Sequence, residues 1–220
     1  MNKWKDFDKF YNNLLSEVYH EPDSMLTTQV TDRMLPGFVE LFSSNDKILD
    51  LGCGAGYAMK KMREFGLKNV EGLTLSDEDI KACEEEGFKI HKLDFNFTGF
   101  KDKYDGIWMR HVLEHSPFPL YTIYQLNKML KMGGRIYVEM PQPSIERLKN
   151  SERNLEHWPN HYSIMGQPMY KSLFQRAGFS ILGSDEIFLG GLKVGDKKYN
   201  ETYDWYVFKK INNIEIKNGK

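Results

Sequence analysis

The segment Lys47-Ile-Leu-Asp-Leu-Gly-Cys-Gly-Ala-Gly-Tyr57 constrains the fold more than any other part of the chain. A short apolar run meets Gly52, Gly54 and Gly56, and residues of helical composition follow. Glycines are needed where the backbone takes φ values that other residues resist, and where a ligand approaches the main chain closely. A strand that turns through such a loop into a helix suits an open α/β sheet, in which ligands bind outside the carboxyl ends of the strands. Spacing narrows the ligand. The dinucleotide pattern G-x-G-x-x-G places its third glycine where Tyr57 stands, and the chain has no Gly-Lys-Ser/Thr phosphate loop. A loop without phosphate machinery suits a nucleoside that lacks a phosphate chain.

The rest of the chain alternates strand-like and helix-like segments, the pattern of a parallel sheet covered by helices. Strands are expected at 47–51, 69–75, 88–93, 104–109 and 135–140, and helices at 57–65, 76–86, 120–131 and 165–177. Ser76 is placed as an N-cap, and Gly133-Gly134 is expected to break the helix before it. Segments 179–188 and 202–209 read as a final hairpin, for roughly seven strands in all. Ahead of the first strand, Trp4, Phe7, Phe10, Tyr11, Leu14 and Leu15 fall mostly on one helical face. Such a helix either packs on the sheet or caps the active site. The chain is divided accordingly into an N-terminal helical cap segment, 1–45, and a ligand-binding domain, 46–220, within one domain overall.

Composition excludes several classes. At 220 residues, with 40% hydrophobic and 28% charged residues, the chain is long enough for one well-buried core. A net charge of −1 carries no global footprint for duplex nucleic acid. Two cysteines, Cys53 and Cys83, are too few for a disulfide scaffold. The first residues lack the apolar core of a signal peptide, and no apolar run approaches the ~18 residues of a membrane span. A cytoplasmic setting is therefore expected.

Several motifs in register give the glycine loop its meaning. It resembles motif I of class I S-adenosylmethionine-dependent methyltransferases, hydrophobic-D-x-G-x-G-x-G. Tyr104-Asp-Gly-Ile-Trp-Met-Arg-His-Val-Leu-Glu-His115 is similar to a segment of the type 11 and type 23 branches of that family. Leu130-Lys-Met-Gly-Gly134 and Leu173-Phe-Gln-Arg-Ala-Gly-Phe179 resemble its later elements. The resemblance covers roughly residues 45–180. It implies an α/β, Rossmann-like three-layer sandwich whose seven-stranded, mostly parallel sheet has an antiparallel last strand. It also implies S-adenosylmethionine as cofactor, S-adenosylhomocysteine as product, and a cofactor site drawn from Asp50, Gly52, Cys53, Gly54, Gly56, Thr74, Leu75, Ser76, Asp79, Asp94, Phe95 and Arg110.

Asp94 matches the acidic residue that faces the adenine amino group in the family. The second strand departs from it. Thr74 stands where the family has a carboxylate for both ribose hydroxyls, and a hydroxyl lacks that charge and bidentate reach. Gly72-Leu-Thr-Leu-Ser76 also resembles cyclopropane fatty acid synthases, in which a Gln five residues after the Thr touches the ribose. Asp79 occupies that place, so either Thr74 and Asp79 share the ribose contact or Asp79 simply suits the first turn of a helix.

The chemistry needs a nucleophile held in line with the methyl group, and a base where that nucleophile is a hydroxyl. His111, Glu114 and His115 share a face at i, i+3, i+4 spacing. In the resemblance, Arg110 and His111 fall at the methionine end of the cofactor. Ubiquinone-biosynthesis O-methyltransferases hold a divalent cation here with E-x-x-E-H. In this chain His111 replaces the first carboxylate, so the site is read as metal-free, with Glu114 bracing the loop and a cation as the second reading. His157, Trp158 and His161 lie on a later polar loop, where His161 serves either as a base or in a structural role. The expectation is methyl transfer to a small-molecule acceptor, at oxygen, with His115 or His161 as base and His111 nearby. Acceptors at carbon or nitrogen, on a lipid or a macromolecule, and a non-catalytic cofactor-binding partner subunit are the alternatives.

Overall fold

The computed structural model describes residues 3–17, 25–143, 160–194 and 197–214. Two helices, α1 (Lys3–Leu15) and α2 (Met25–Val39), precede the sheet. The chain then runs through β1 (Lys47–Leu51), α3 (Tyr57–Glu64), β2 (Asn69–Thr74), α4 (Asp77–Glu85), β3 (Lys89–Lys92) and β4 (Tyr104–Arg110). After a short 3-10 turn, Leu113–His115, come α5 (Pro119–Met129), β5 (Leu130–Pro141), α6 (Gln167–Arg176), β6 (Phe179–Val194) and β7 (Lys197–Lys210). The strands form one sheet in the order β3-β2-β1-β4-β5-β7-β6. The first five strands pair in parallel, and β7 lies antiparallel between β5 and β6. This is the expected Rossmann-like sandwich. No helix among the described residues is long and apolar enough to cross a membrane.

Side-chain alternation along the strands builds two cores. On one face Leu49, Leu73, Ile107 and Val138 pack against Leu126 of α5 and Phe174 of α6. On the other, Ile48, Val70, Trp108 and Tyr137 pack against Phe38 of α2, Met59 and Met62 of α3 and Cys83 of α4. The Trp108 and Tyr137 rings stack at 4.1 Å across β4 and β5. From β1 the chain moves outward to β2 and β3 and then returns to β4. The strand order therefore reverses between β1 and β4, which opens a crevice at their carboxyl ends.

Glu71 ties the parallel edge together. Its carboxylate, nearly buried on β2, meets Lys47 at 2.9 Å, Lys103 at 3.2 Å and His91 at 2.9 Å, and accepts from the Tyr104 hydroxyl at 2.9 Å. Burial alone would raise its pKa. Hydrogen bonds from His91, Lys47, Tyr104 and Lys103 outweigh that and hold it far below the usual carboxylate range.

The structure departs from the sequence reading in three places. α5 stops at Met129, and Gly133-Gly134 lie inside β5 rather than at a helix end. The pairing jumps from Tyr104↔Leu130 to Gly106↔Arg135, so the extra β5 residues, glycines included, form an irregularity. The terminal hairpin is longer at both ends of its turn, because pairing between β6 and β7 carries through segments whose composition says little about strands. The N-terminal segment holds two helices, the second of which supplies Leu35 and Phe38 to the core.

A Glu71→Ala variant should lose about 3 kcal/mol of stability, the scale for leaving several charges without their buried partner. Since the folded-state pKa is depressed, the wild-type advantage is present above the unfolded value of about 4.3 and fades as pH falls below it. Urea denaturation of both proteins at pH 7 and pH 3 should show the gap shrinking at the lower pH.

Candidate functional site

The turn after β1 is fixed from its backbone outward. The amides of Gly52 and Cys53 both donate to the Leu73 carbonyl of β2, at 2.9 and 3.2 Å. Gly52 has φ +76°, and a Cβ there would lie 2.4 Å from Val112 Cγ2, so neither conformation nor space admits a side chain. Gly54, at φ +50°, meets nothing within 4 Å in the direction of a Cβ. Gly54 borders two clefts, a larger and a smaller one. Gly52, Gly54, Arg110 and His111 line both.

Most of the proposed cofactor residues meet in these clefts. Thr74, Leu75, Asp79, Asp94 and Phe95 line the larger one, and Asp50 and Cys53 the smaller. Gly56 and Ser76 line neither. Gly56 opens α3 and packs on the Cys83 sulfur, and the Ser76 hydroxyl accepts from the Asp79 amide at 3.2 Å as the N-cap of α4. Asp79 thus stands in a helical first turn and also borders the cleft.

A further wall of the larger cleft comes from α1. Tyr11, Leu14 and Leu15 line the larger cleft. The Tyr11 hydroxyl donates to Asp94 Oδ2 at 2.6 Å and accepts from the Asn96 side-chain amide at 2.8 Å. The Asn96 backbone amide donates to the other Asp94 oxygen, and Thr122 donates to the Asn96 carbonyl oxygen at 2.6 Å. Burial, followed by the bond to Asp94, pushes the Tyr11 phenol well above its ordinary pKa, so it stays a donor.

At the ends of β4 and β5 lies a buried charge network. Arg110 donates to Glu139 at 2.6 Å, to Thr31 at 2.5 Å and to the Thr27 carbonyl at 3.0 Å, which ties α2 to the sheet. His111 touches Glu139 through Nε2 and Glu114 through Nδ1, each at 3.2 Å. Burial disfavours a charged imidazole, but these two carboxylates outweigh it and push the His111 pKa up to about 9. Burial likewise opposes the Glu139 carboxylate, and Arg110 and His111 bring its pKa down to about 2. His111 holds φ +51°, a conformation uncommon for a residue with a side chain. Glu139 was not among the sequence candidates; its one signal is a carboxylate inside the apolar run Ile136–Met140.

His115 also lines the larger cleft. Its Nδ1 lies 3.1 Å from the Asn160 carbonyl, which fixes Nδ1 as the protonated nitrogen and leaves Nε2 as an acceptor. Asn160 and Tyr162 line the cleft, whereas His161 between them does not. The His115 and His161 rings meet edge to face at 4.8 Å. His157 and Trp158 lie outside the described residues.

A family model described as a methyltransferase domain matches residues 26–183. Among curated proteins, the tRNA U34 carboxymethyltransferase of Shewanella oneidensis is 32% identical over 116 residues, 49% of this chain and 34% of that protein. The chain therefore spans about a third of that relative's length. The 27-O-demethylrifamycin SV methyltransferase of Amycolatopsis mediterranei is 23% identical over 198 residues, 82% of this chain and 71% of that protein. Among solved structures, the complex between the Haloferax volcanii Trm112 methyltransferase activator and a methyltransferase matches with a TM-score of 0.68 at 18% identity. That match covers 86% of this chain and 96% of that one, and it shows a shared fold.

Burial raises the Asp50 carboxyl to about 7, against the smaller opposing pull of Arg110. A folded-state pKa above the unfolded one means that stability falls as pH rises from about 4 towards 7. Asp50→Asn should therefore raise the melting temperature of the ligand-free protein by a few degrees at pH 8 and leave it unchanged near pH 4. Differential scanning fluorimetry at the two values checks this.

Proposed function

The chain belongs to the methyltransferase-domain family and its cofactor is S-adenosylmethionine; on that premise we propose that it methylates a hydroxyl oxygen of a small-molecule acceptor, with His115 as base. One observation carries the reading. The glycine turn, Thr74, Asp79 and Asp94 meet in a single cleft with a histidine whose Nδ1 is already engaged by the Asn160 carbonyl.

The residues present fit the cofactor. In this assignment Asp94 and Phe95 hold the adenine, Thr74 and Asp79 share the ribose, and the bare backbone at Gly52 and Gly54 leaves room for the chain that leads to sulfur. Thr74 offers one hydroxyl and Asp79 the charge that Thr74 lacks. Asp50, Cys53, Leu75 and Arg110 complete the set, while Gly56 and Ser76 act through the helices they start. The cofactor supplies a methyl group made electrophilic by its sulfonium.

His115 Nε2 then takes the acceptor proton, within hydrogen-bond reach of the cleft. His111, charged by its two carboxylates, has no lone pair to offer and serves as a fixed cation beside the methionine end. His161 stands behind the wall, so the base role narrows to its neighbour. The α1 segment is assigned as a cap: Tyr11, Leu14 and Leu15 close the adenine end against water.

The rifamycin methyltransferase relative favours a small hydroxylated acceptor, since it matches over most of both chains. The tRNA-modifying relatives favour a second reading, an acceptor on a macromolecule, on higher identity over a shorter span.

Calorimetric titration with S-adenosylhomocysteine should show one site per chain. Gly54→Arg should weaken binding about 100-fold or more, a loss near 2.8 kcal/mol, while His115→Ala keeps it within about threefold. Absence of binding at millimolar ligand would sink the cofactor assignment. Equal transfer of labelled methyl to a catechol probe by wild type and His115→Ala would sink the base.

A further inference from the structure

The α1 segment meets the larger cleft at two places. Tyr11 reaches Asp94, the carboxylate assigned to the adenine. Just past Leu15, the Glu17 carboxylate accepts from the Tyr162 hydroxyl, and both residues line the same cleft. The Tyr162 backbone amide in turn donates to the Glu114 carbonyl at 2.7 Å, beside His115. Glu17 therefore stands one tyrosine side chain away from the turn that carries the base. We infer that the acceptor is a hydroxylated amine whose protonated nitrogen, remote from the reacting hydroxyl, is held between Glu17, Tyr162 and Asn160.

This wall is rich in hydrogen-bond acceptors. Among the described residues, the partner of the Glu17 carboxylate is a neutral phenol rather than a cation. Burial, followed by the bond to Glu17, raises the Tyr162 phenol above its ordinary pKa, so it stays a donor and leaves the negative charge on Glu17. A carboxylate beside an aromatic ring suits an ammonium group. The carboxylate supplies charge-assisted hydrogen bonds, and the ring face supplies its quadrupole.

An independent observation comes from Asn160. Its side chain is buried on the cleft wall, and its Oδ1 has no hydrogen-bond partner among the described residues. Its backbone carbonyl is already taken by His115 Nδ1. A buried acceptor without a donor is costly, and a ligand N–H would satisfy it. An ammonium group carries three donors, enough for Asn160 and Glu17 together.

The charge balance of the cleft favours the same class of ligand. Arg110 and His111, the two cations that line it, are opposed by the buried Glu139 and Glu114. Glu17, Asp79 and Asp94 then leave it negative, and no lysine lines it among the described residues. Such a field draws a cationic acceptor and repels phosphate and carboxylate groups. Leu14, Leu15 and Pro117 offer apolar surface to the carbon frame. The hydroxyl half of this assignment rests on the methyl-transfer reading; the ammonium site does not.

The test is calorimetric titration of the full chain, saturated with S-adenosylhomocysteine, with three catechols that share a ring and differ in an aminoethyl, propyl or carboxyethyl tail. The aminoethyl compound should bind about tenfold more tightly than the propyl one, the scale of one charge-assisted contact, and the carboxyethyl compound most weakly. Glu17→Gln should bring the aminoethyl compound to within about twofold of the propyl one, and Asn160→Ala should weaken it about threefold or more. S-Adenosylhomocysteine affinity should hold in both. Should Asn160→Ala melt early, Glu17→Gln, at an exposed position, carries the test alone. No binding of the aminoethyl compound at millimolar concentration, equal binding of all three, or a preference that survives Glu17→Gln would overturn the assignment. Labelled methyl found on the amine nitrogen would overturn the placement of the ammonium. Selective amine binding with no methyl on a ring oxygen would instead overturn the O-methylation reading and leave the ammonium site standing.

Discussion

The buried Arg110–Glu139 pair is the interaction on which the rest of the site depends. Glu139 is fully buried and Arg110 nearly so, at the ends of adjacent strands, where desolvation costs several kcal/mol per ion unless geometry and further bonds offset it. The offset recruits neighbours. Arg110 reaches the first turns of α2 through Thr27 and Thr31, and Tyr137 donates to the second Glu139 oxygen at 2.9 Å. His111 completes the arrangement by placing its ring between Glu139 and Glu114. Its backbone adopts positive φ while its amide donates to the Glu139 carbonyl at 2.9 Å, so strain of ~1–3 kcal/mol is held by the surrounding bonds. One ion pair thus fixes a helix, two strand ends and the turn that carries His115.

A second constraint acts at the other end of the cleft. The Leu73 carbonyl holds the glycine turn against β2, and the same strand delivers Thr74 to the rim. Across from it, the Tyr11–Asp94–Asn96–Thr122 chain of hydrogen bonds joins α1 to the loop after β3 and to α5. The cap is therefore attached through the carboxylate assigned to the adenine. Cofactor seating and cap position are coupled through one side chain.

How much of this was legible in the sequence follows from how local each signal is. The glycine turn, the Ser76 cap and the alternating strands are written within a few residues, so the sheet and the position of the cleft could be read directly. The early end of α5 could not, because Gly133-Gly134 are taken up by an irregularity that exists only through pairing with β4. The Tyr11–Asp94 bond joins residues 83 apart, and nothing near either announces the other. His161 was visible as a loop histidine, but its meeting with Glu114 and His115 depends on backbone bonds from Tyr162 and Ser163. Spacing alone pointed to His111 as the companion of Glu114 and His115; in the fold its Nδ1 does meet Glu114, while its Nε2 faces Glu139, which spacing could not show.

The central claim is that the cleft beside the glycine turn seats an S-adenosyl nucleoside with its sulfur toward His115. A crystal structure of the chain with S-adenosylhomocysteine tests this most directly. The adenine amino group should lie on Asp94, the ribose within reach of Thr74 and Asp79, and the sulfur facing the space in front of His115. A nucleoside seated away from Gly52 and Gly54, or a sulfur turned from His115 toward solvent, would contradict it.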